Sequence, residues 1–129
     1  MEYTTIPQML NAGILRYAAE RKSTLISRWL IYEKFEIYLR TGSDCAGFDE
    51  ARELVMLPTI VISNIIVYPQ FQNQGVFREL LANLIADGRK MQYARIKVEQ
   101  VHNPILYAYL ERQGFKHLEF ETLYLDIGE

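Results

Sequence analysis

The residues with the clearest capacity for chemistry lie between Ile65 and Arg78. They run Ile65-Ile66-Val67-Tyr68-Pro69, then Gln70-Phe71-Gln72-Asn73-Gln74-Gly75, then an apolar stripe that begins at Val76 and Phe77. A loop that enters a helix N-terminus leaves several backbone N–H groups unpaired, and the helix dipole adds a partial positive charge. Together they favour a diphosphate. A glycine at position 75 lets the backbone approach phosphate oxygens closely. No lysine or arginine stands between Pro69 and Phe77. An anion there must be held mainly by amides, with Gln72, Asn73 and Gln74 as neutral helpers and Arg78 one turn inside. The hexamer alone is better explained by a glycine that only eases a strand-to-helix turn. Its context is what adds meaning.

Other reactive side chains are sparse. There is one cysteine, Cys45, and two histidines, His102 and His117. A single thiol forms no internal disulfide, no spacing suggests a metal site, and Cys45 has no His or Asp partner at readable spacing. The net charge of −2 over 129 residues gives no reason to expect nucleic acid or an anionic membrane as a partner. The start of the chain lacks a basic segment followed by an apolar stretch, and the longest apolar run, residues 60–67, is too short to cross a bilayer. A soluble, reduced, cytoplasmic protein is the expectation.

The elements that must position the loop follow from periodicity. Residues 6–21 place Ile6, Met9, Leu10, Ile14, Tyr17 and Ala18 near one helical face, with Thr5 as a cap and Pro7 in the first turn. Residues 24–32 either prolong that helix or open a strand. Phe35, Ile37 and Leu39 alternate with Glu36, Tyr38 and Arg40, a half-buried strand over 35–41. The glycine-rich stretch 42–50 reads as a surface connection, and 52–57 as a short strand. Residues 59–67 are apolar on both faces, as a central strand requires. The helix from Val76 is expected to close at Asp87-Gly88, a second inner strand spans 95–101, and Asn103-Pro104 opens a helix that Gly114 stops. Residues 118–127 supply one or two more strands. This is a mixed α/β chain in one domain, residues 1–129.

These spaced elements resemble the cofactor half of the GNAT superfamily of N-acetyltransferases. The family signature is Gln or Arg, two variable residues, Gly, one variable residue, then Gly or Ala. Gln72-Asn73-Gln74-Gly75-Val76 follows it, and Phe77 departs from it at the small-residue position. Val67-x-Pro69 before it, Leu80-Leu81 after it, and Asn103 paired with Gly114-Phe115 complete the likeness. It covers residues 57–120. The run Val98-Glu99-Gln100-Val101-His102-Asn103 also resembles short GNAT-like proteins often encoded by bacteriophages.

The resemblance implies a central, mostly antiparallel, twisted sheet flanked by helices, with its middle strands splayed. It implies acetyl-CoA as co-substrate, with no metal. The pantetheine arm would pair with the backbone of Ile65, Ile66 and Val67, and an N–H near Ile66 would stabilise the oxyanion. The diphosphate would sit on residues 72–78, and Asn103 would lie near the arm. Residues 1–56 would form the variable acceptor side. The family's tyrosine acid, four residues before the closing glycine, is here Leu110. Tyr107, one turn earlier on nearly the same face, is preferred over Tyr109 as its replacement. Where many relatives carry a carboxylate, Ser63 and Asn64 stand, so Glu99 becomes the candidate base, ahead of His102. Each of these side chains also has an ordinary packing or ion-pair role. Two functions follow: an enzyme moving acetyl to a primary amine, on a small molecule or a protein, or a degenerate fold that only binds and regulates. A homodimer built on Trp29, Tyr32, Phe35 and Tyr38 is a weaker third reading.

Overall fold

The computed structural model describes residues 2–18 and 25–128. Its centre is a seven-stranded sheet built from β1 (Glu2–Tyr3), β2 (Ile26–Tyr32), β3 (Phe35–Phe48), β4 (Leu54–Val67), β5 (Arg95–Val98), β6 (Lys116–Glu119) and β7 (Thr122–Asp126). The strand order is β1-β2-β3-β4-β5-β7-β6. The β1–β2 and β4–β5 pairs are parallel, and the others are antiparallel. This is the mixed, mostly antiparallel α/β sheet expected.

The first helical segment joins α1 (Ile6–Leu10), a π turn (Asn11–Leu15) and α2 (Arg16–Ala18). The Thr5 hydroxyl caps its start by accepting from the Gln8 amide. Ile6, Met9, Leu10, Ile14 and Leu15 are fully buried, each contributing roughly 1.5–3 kcal/mol of apolar burial. At Gly13 a Cβ would come within 2.7 Å of Leu30, so the absent side chain lets this segment lie tightly on β2. The expected helix over 6–21 is interrupted by the π turn, and its last three residues fall outside the described residues. Residues 26–32, left open between helix and strand, form β2.

Three further expectations are corrected. The stretch 42–50 is not a loop: β3 runs through Gly42 and Gly47 to Phe48, and β4 begins at Leu54. The positive φ of both glycines (149° and 112°) lets the strand bend where turn chemistry suggested a stop. The helix α3 (Val76–Lys90) passes straight through Gly88. A Cβ there would meet Ile127 Cδ1 at 2.8 Å and Ile60 Cδ1 at 3.2 Å, so this glycine serves close helix–sheet packing rather than termination. Strand β5 ends at Val98, three residues early, because Gln100 takes a left-handed φ of 57° and breaks the extended run.

The β4–β5 ladder is short. It runs from Thr59 opposite Arg95 to Ile62 opposite Val98, and its last bond is the Glu99 amide to the Ile62 carbonyl at 2.9 Å. Ser63 is an extra residue on β4, since Tyr38 pairs with Asn64 and Leu39 with Ile62. A bulge on one strand and a left-handed residue on the other turn the two apart at the same level. That divergence creates the site.

Candidate functional site

A cleft of about 910 Å³ opens where β4 and β5 separate. Its walls are the last third of β4 (including Ser63, Asn64, Ile65 and Val67), the loop 71–75, the first turn of α3, and α4 (Pro104–Arg112). Gln72, Asn73, Gln74, Gly75, Val76, Phe77, Arg78, Glu99 and Asn103 all line it. Ile66 does not: its side chain is half exposed on the opposite face of β4.

The loop is shaped by a 3-10 turn (Pro69–Phe71) and two left-handed residues, Asn73 (φ 62°) and Gly75 (φ 74°). Left-handed residues so placed can turn neighbouring N–H groups toward one concave side, the geometry of a backbone anion nest. Gly75 is the N-cap of α3, and no side chain caps that helix. The free N–H groups of the first turn therefore face the cleft end. Gln72 and Gln74, expected as neutral helpers, spend their side-chain NH₂ groups within the loop. Gln72 Nε2 donates to the Val67 carbonyl at 3.0 Å, and Gln74 Nε2 to the Gln70 carbonyl at 2.8 Å. Both side-chain amides brace the loop from within. The Arg78 guanidinium folds back so that Nη2 lies 3.0 Å from where a Gly75 Cβ would sit. A cation thus stands beside the amides.

At the opposite end, where the strands part, Glu99 is held from two sides. Its Oε2 accepts from Arg40 Nη2 at 2.8 Å and its Oε1 from the Ser63 hydroxyl at 3.1 Å. The cross-sheet partner of Glu99 is Arg40, neither Lys97 nor Arg95, which pair with Asp44 and Asp126. His102 lines the cleft while its Nδ1 meets a Glu121 carboxylate oxygen at 2.9 Å. His117 lies away from the cleft, against the Phe120 carbonyl.

On α4, Asn103 caps the helix: Oδ1 accepts from the Ile105 amide at 2.8 Å and the Leu106 amide at 3.4 Å. Its carboxamide NH₂ is the half not used by the cap. The cleft stripe of this helix is Ile105, Leu106, Tyr109 and Arg112, spaced as one helical face. Tyr107 is absent from it. Two residues from Tyr109 means about 200° of rotation, so Tyr107 turns toward the side of Leu110, which is completely buried. Placing Tyr107 beside Leu110 on the helix was sound geometry, but that face packs on the core. Tyr109 sits edge-on to Phe77, with ring centroids 6.1 Å apart. The signature's small residue is thus replaced by an aromatic that meets the cleft tyrosine.

The family model of the GNAT acetyltransferases matches residues 15–115. The chain belongs to the GNAT family. No curated protein matches it by sequence. Among solved structures, a mutant of the AtaT toxin bound to the C-terminus of the antitoxin AtaR and acetyl-CoA is 15% identical, with a TM-score of 0.54 over 93% of this chain and 78% of that one. A mutant of KacT gives 14% identity and a TM-score of 0.55 over 93% and 80% of the two chains. The ribosomal-protein-S18-alanine N-acetyltransferase from Escherichia coli gives 18% and 0.52 over 88% and 76%. These likenesses establish the shared fold.

Sequence reasoning missed two contributors to this GNAT site. Arg40 lies 59 residues from Glu99, in a strand read only for its alternation. Arg112 reaches the cleft through the i, i+3 spacing from Tyr109, a signal present in the sequence but unused. No helix among the described residues is long and apolar enough to cross a membrane, and no cluster of three or more potential metal ligands occurs among them.

Proposed function

We propose that this GNAT protein binds acetyl-CoA in the cleft and transfers the acetyl group to a primary amine by direct attack in a ternary complex. The single observation that carries the reading is the cleft itself. It joins an uncapped helix start, preceded by two left-handed residues, to the point where β4 and β5 part. The cofactor's diphosphate would rest on the amides of residues 73–78 beside Arg78. Its pantetheine arm would follow the open edge of Ile65 and Val67, with the Asn103 carboxamide NH₂ facing it and the thioester near Ser63.

There the amine nitrogen attacks the thioester carbonyl carbon, the carbon–sulfur bond breaks, and coenzyme A leaves as thiolate. Glu99 is the cleft carboxylate able to accept the ammonium proton, directly or through one water, and Tyr109 is the hydroxyl able to protonate the thiolate. Backbone N–H groups near the bulge stabilise the developing oxyanion. The acceptor would approach from residues 1–56.

A second reading, a GNAT fold that binds but does not turn over, is favoured by specific features. Leu110 is buried where the family's tyrosine stands, and both oxygens of Glu99 are engaged. Release of thiol from acetyl-CoA, followed with a disulfide dye across a panel of primary amines, separates the two. Amine-dependent release supports the enzyme. Stabilisation by coenzyme A without release on any amine supports the binding module.

A further inference from the structure

The face of the sheet that carries Glu99 also carries an aromatic shelf. Trp29 of β2, Tyr38 of β3 and Asn64 of β4 stand in one register row, each opposite the next. Tyr38 and Arg40 are two apart on β3 and share that face, and Arg40 reaches Glu99. Trp29 stacks on Tyr38 with centroids 5.2 Å apart and planes 26° from parallel, yet it is 53% exposed. Burial in the fold therefore does not account for this indole. Asn64, at the other end of the row, lines the cleft where the thioester would lie. Neighbouring strands are about 4.8 Å apart, so the shelf begins one strand from the proposed reaction centre.

The charges around the cleft narrow what this shelf would hold. Among its lining residues Glu99 is the only carboxylate, and Arg40 already neutralises it. The other ionisable groups there are Arg78, His102, Tyr109 and Arg112. Acceptors with several ammonium groups need several free carboxylates; the cleft lining offers only the ion-paired Glu99 while presenting arginines, and Glu36, on the shelf face two residues from Tyr38, already accepts from the Tyr68 hydroxyl. A flat, exposed, partly polar π surface binds a ring by stacking.

From this row of residues we infer that the acceptor is a monoamine carried on a planar aromatic group, an arylalkylamine, whose ring stacks on Trp29 and Tyr38 while its nitrogen reaches past Asn64. The inference rests on the acetyltransferase reading for its chemistry but not for its binding surface. Trp29 determines specificity and touches no reacting atom.

Trp29 is the only tryptophan, so its fluorescence reports the shelf directly. Titrating the protein with 2-phenylethylamine and, separately, spermidine is expected to change the emission saturably with the first and not with the second. With acetyl-CoA present, 2-phenylethylamine is expected to be acetylated with kcat/KM at least about tenfold above spermidine. Trp29→Leu should raise KM for 2-phenylethylamine about tenfold, the size of one aromatic contact, while leaving KM for acetyl-CoA unchanged. A flat emission titration with 2-phenylethylamine, an equal response to spermidine, or an unchanged KM in the variant overturns the inference. A saturable emission change without transfer on any amine supports the shelf and removes the enzymatic reading instead.

Discussion

Replacing Gly75 with alanine probes the anion nest at its narrowest point. The backbone there is left-handed, with φ 74°. An L-residue in that conformation costs about 1–2 kcal/mol relative to glycine. For 129 residues the unfolding entropy is about 0.27 kcal/mol/K, so Gly75→Ala should lower Tm by about 4–7 °C. The added Cβ would lie 3.0 Å from Arg78 Nη2 and push the guanidinium away from the loop. It would also stand where a phosphate oxygen must approach the amides. Losing one charge-assisted hydrogen bond, worth about 1.5–3 kcal/mol, weakens binding about 10- to 150-fold. Isothermal calorimetry with coenzyme A measures this directly. The control is Gly47→Ala, also at positive φ (112°) but with no atom within 4 Å of the new Cβ. That variant should lose stability and keep its affinity. Equal affinity in Gly75→Ala and wild type, or an equal loss in both variants, would refute the reasoning.

Other outcomes follow from the same contacts. Glu99→Gln should lower kcat at least about 100-fold if the carboxylate takes the ammonium proton, with coenzyme A affinity unchanged; initial rates at saturating acetyl-CoA check it. Tyr109→Phe should depress kcat while Tyr107→Phe leaves it near wild type, because only Tyr109 faces the cleft; the reverse pattern would return the acid role to Tyr107. Asn103→Ala removes the α4 cap and should cost about 1 kcal/mol, lowering Tm by about 4 °C in a thermal melt. The Tyr93 hydroxyl is fully buried without a hydrogen-bond partner among the described residues, and burial raises its pKa, with Thr41 partly offsetting the shift. A raised folded-state value means stability is intact below the ordinary pKa of 10.0 and lost as pH rises through the shifted one. Tyr93→Phe should therefore match or exceed wild-type stability at pH 7, and its urea midpoint should fall less above pH 10.

What was legible in the sequence was whatever local chemistry decides. The apolar stripe after Gly75, the Asn103 cap and the Gly114 stop each depend on a few adjacent residues, and all three are where expected. The long β3–β4 hairpin was hidden because its glycines carry turn propensity, and only pairing with β4 over twelve positions, Gly42 among them, carries the strand on through them. Gly88 was misread for a related reason. A glycine mid-helix looks like a stop until Ile60 and Ile127, far away in sequence, are seen to press against it. In the candidate cleft, the loop and Glu99 were named from the sequence, but the clamp on Glu99 was not, since Arg40 of β3 meets it over the intervening β4. The choice between the tyrosines turns on helix rotation: spacing puts Tyr107 with Leu110, and only packing reveals that Leu110 faces the core while Tyr109 lines the cleft.

The proposed cofactor site depends on backbone amides of residues 73–78 gripping a diphosphate. Amide resonances recorded while ¹⁵N-labelled protein is titrated with coenzyme A test that grip residue by residue. The amides of Gln74, Gly75, Val76, Phe77 and Arg78 should move downfield together and saturate, with smaller changes at Ile65 and Val67. Saturation with shifts confined to side-chain signals or to residues outside the cleft, or no shift at all at millimolar ligand, would contradict it.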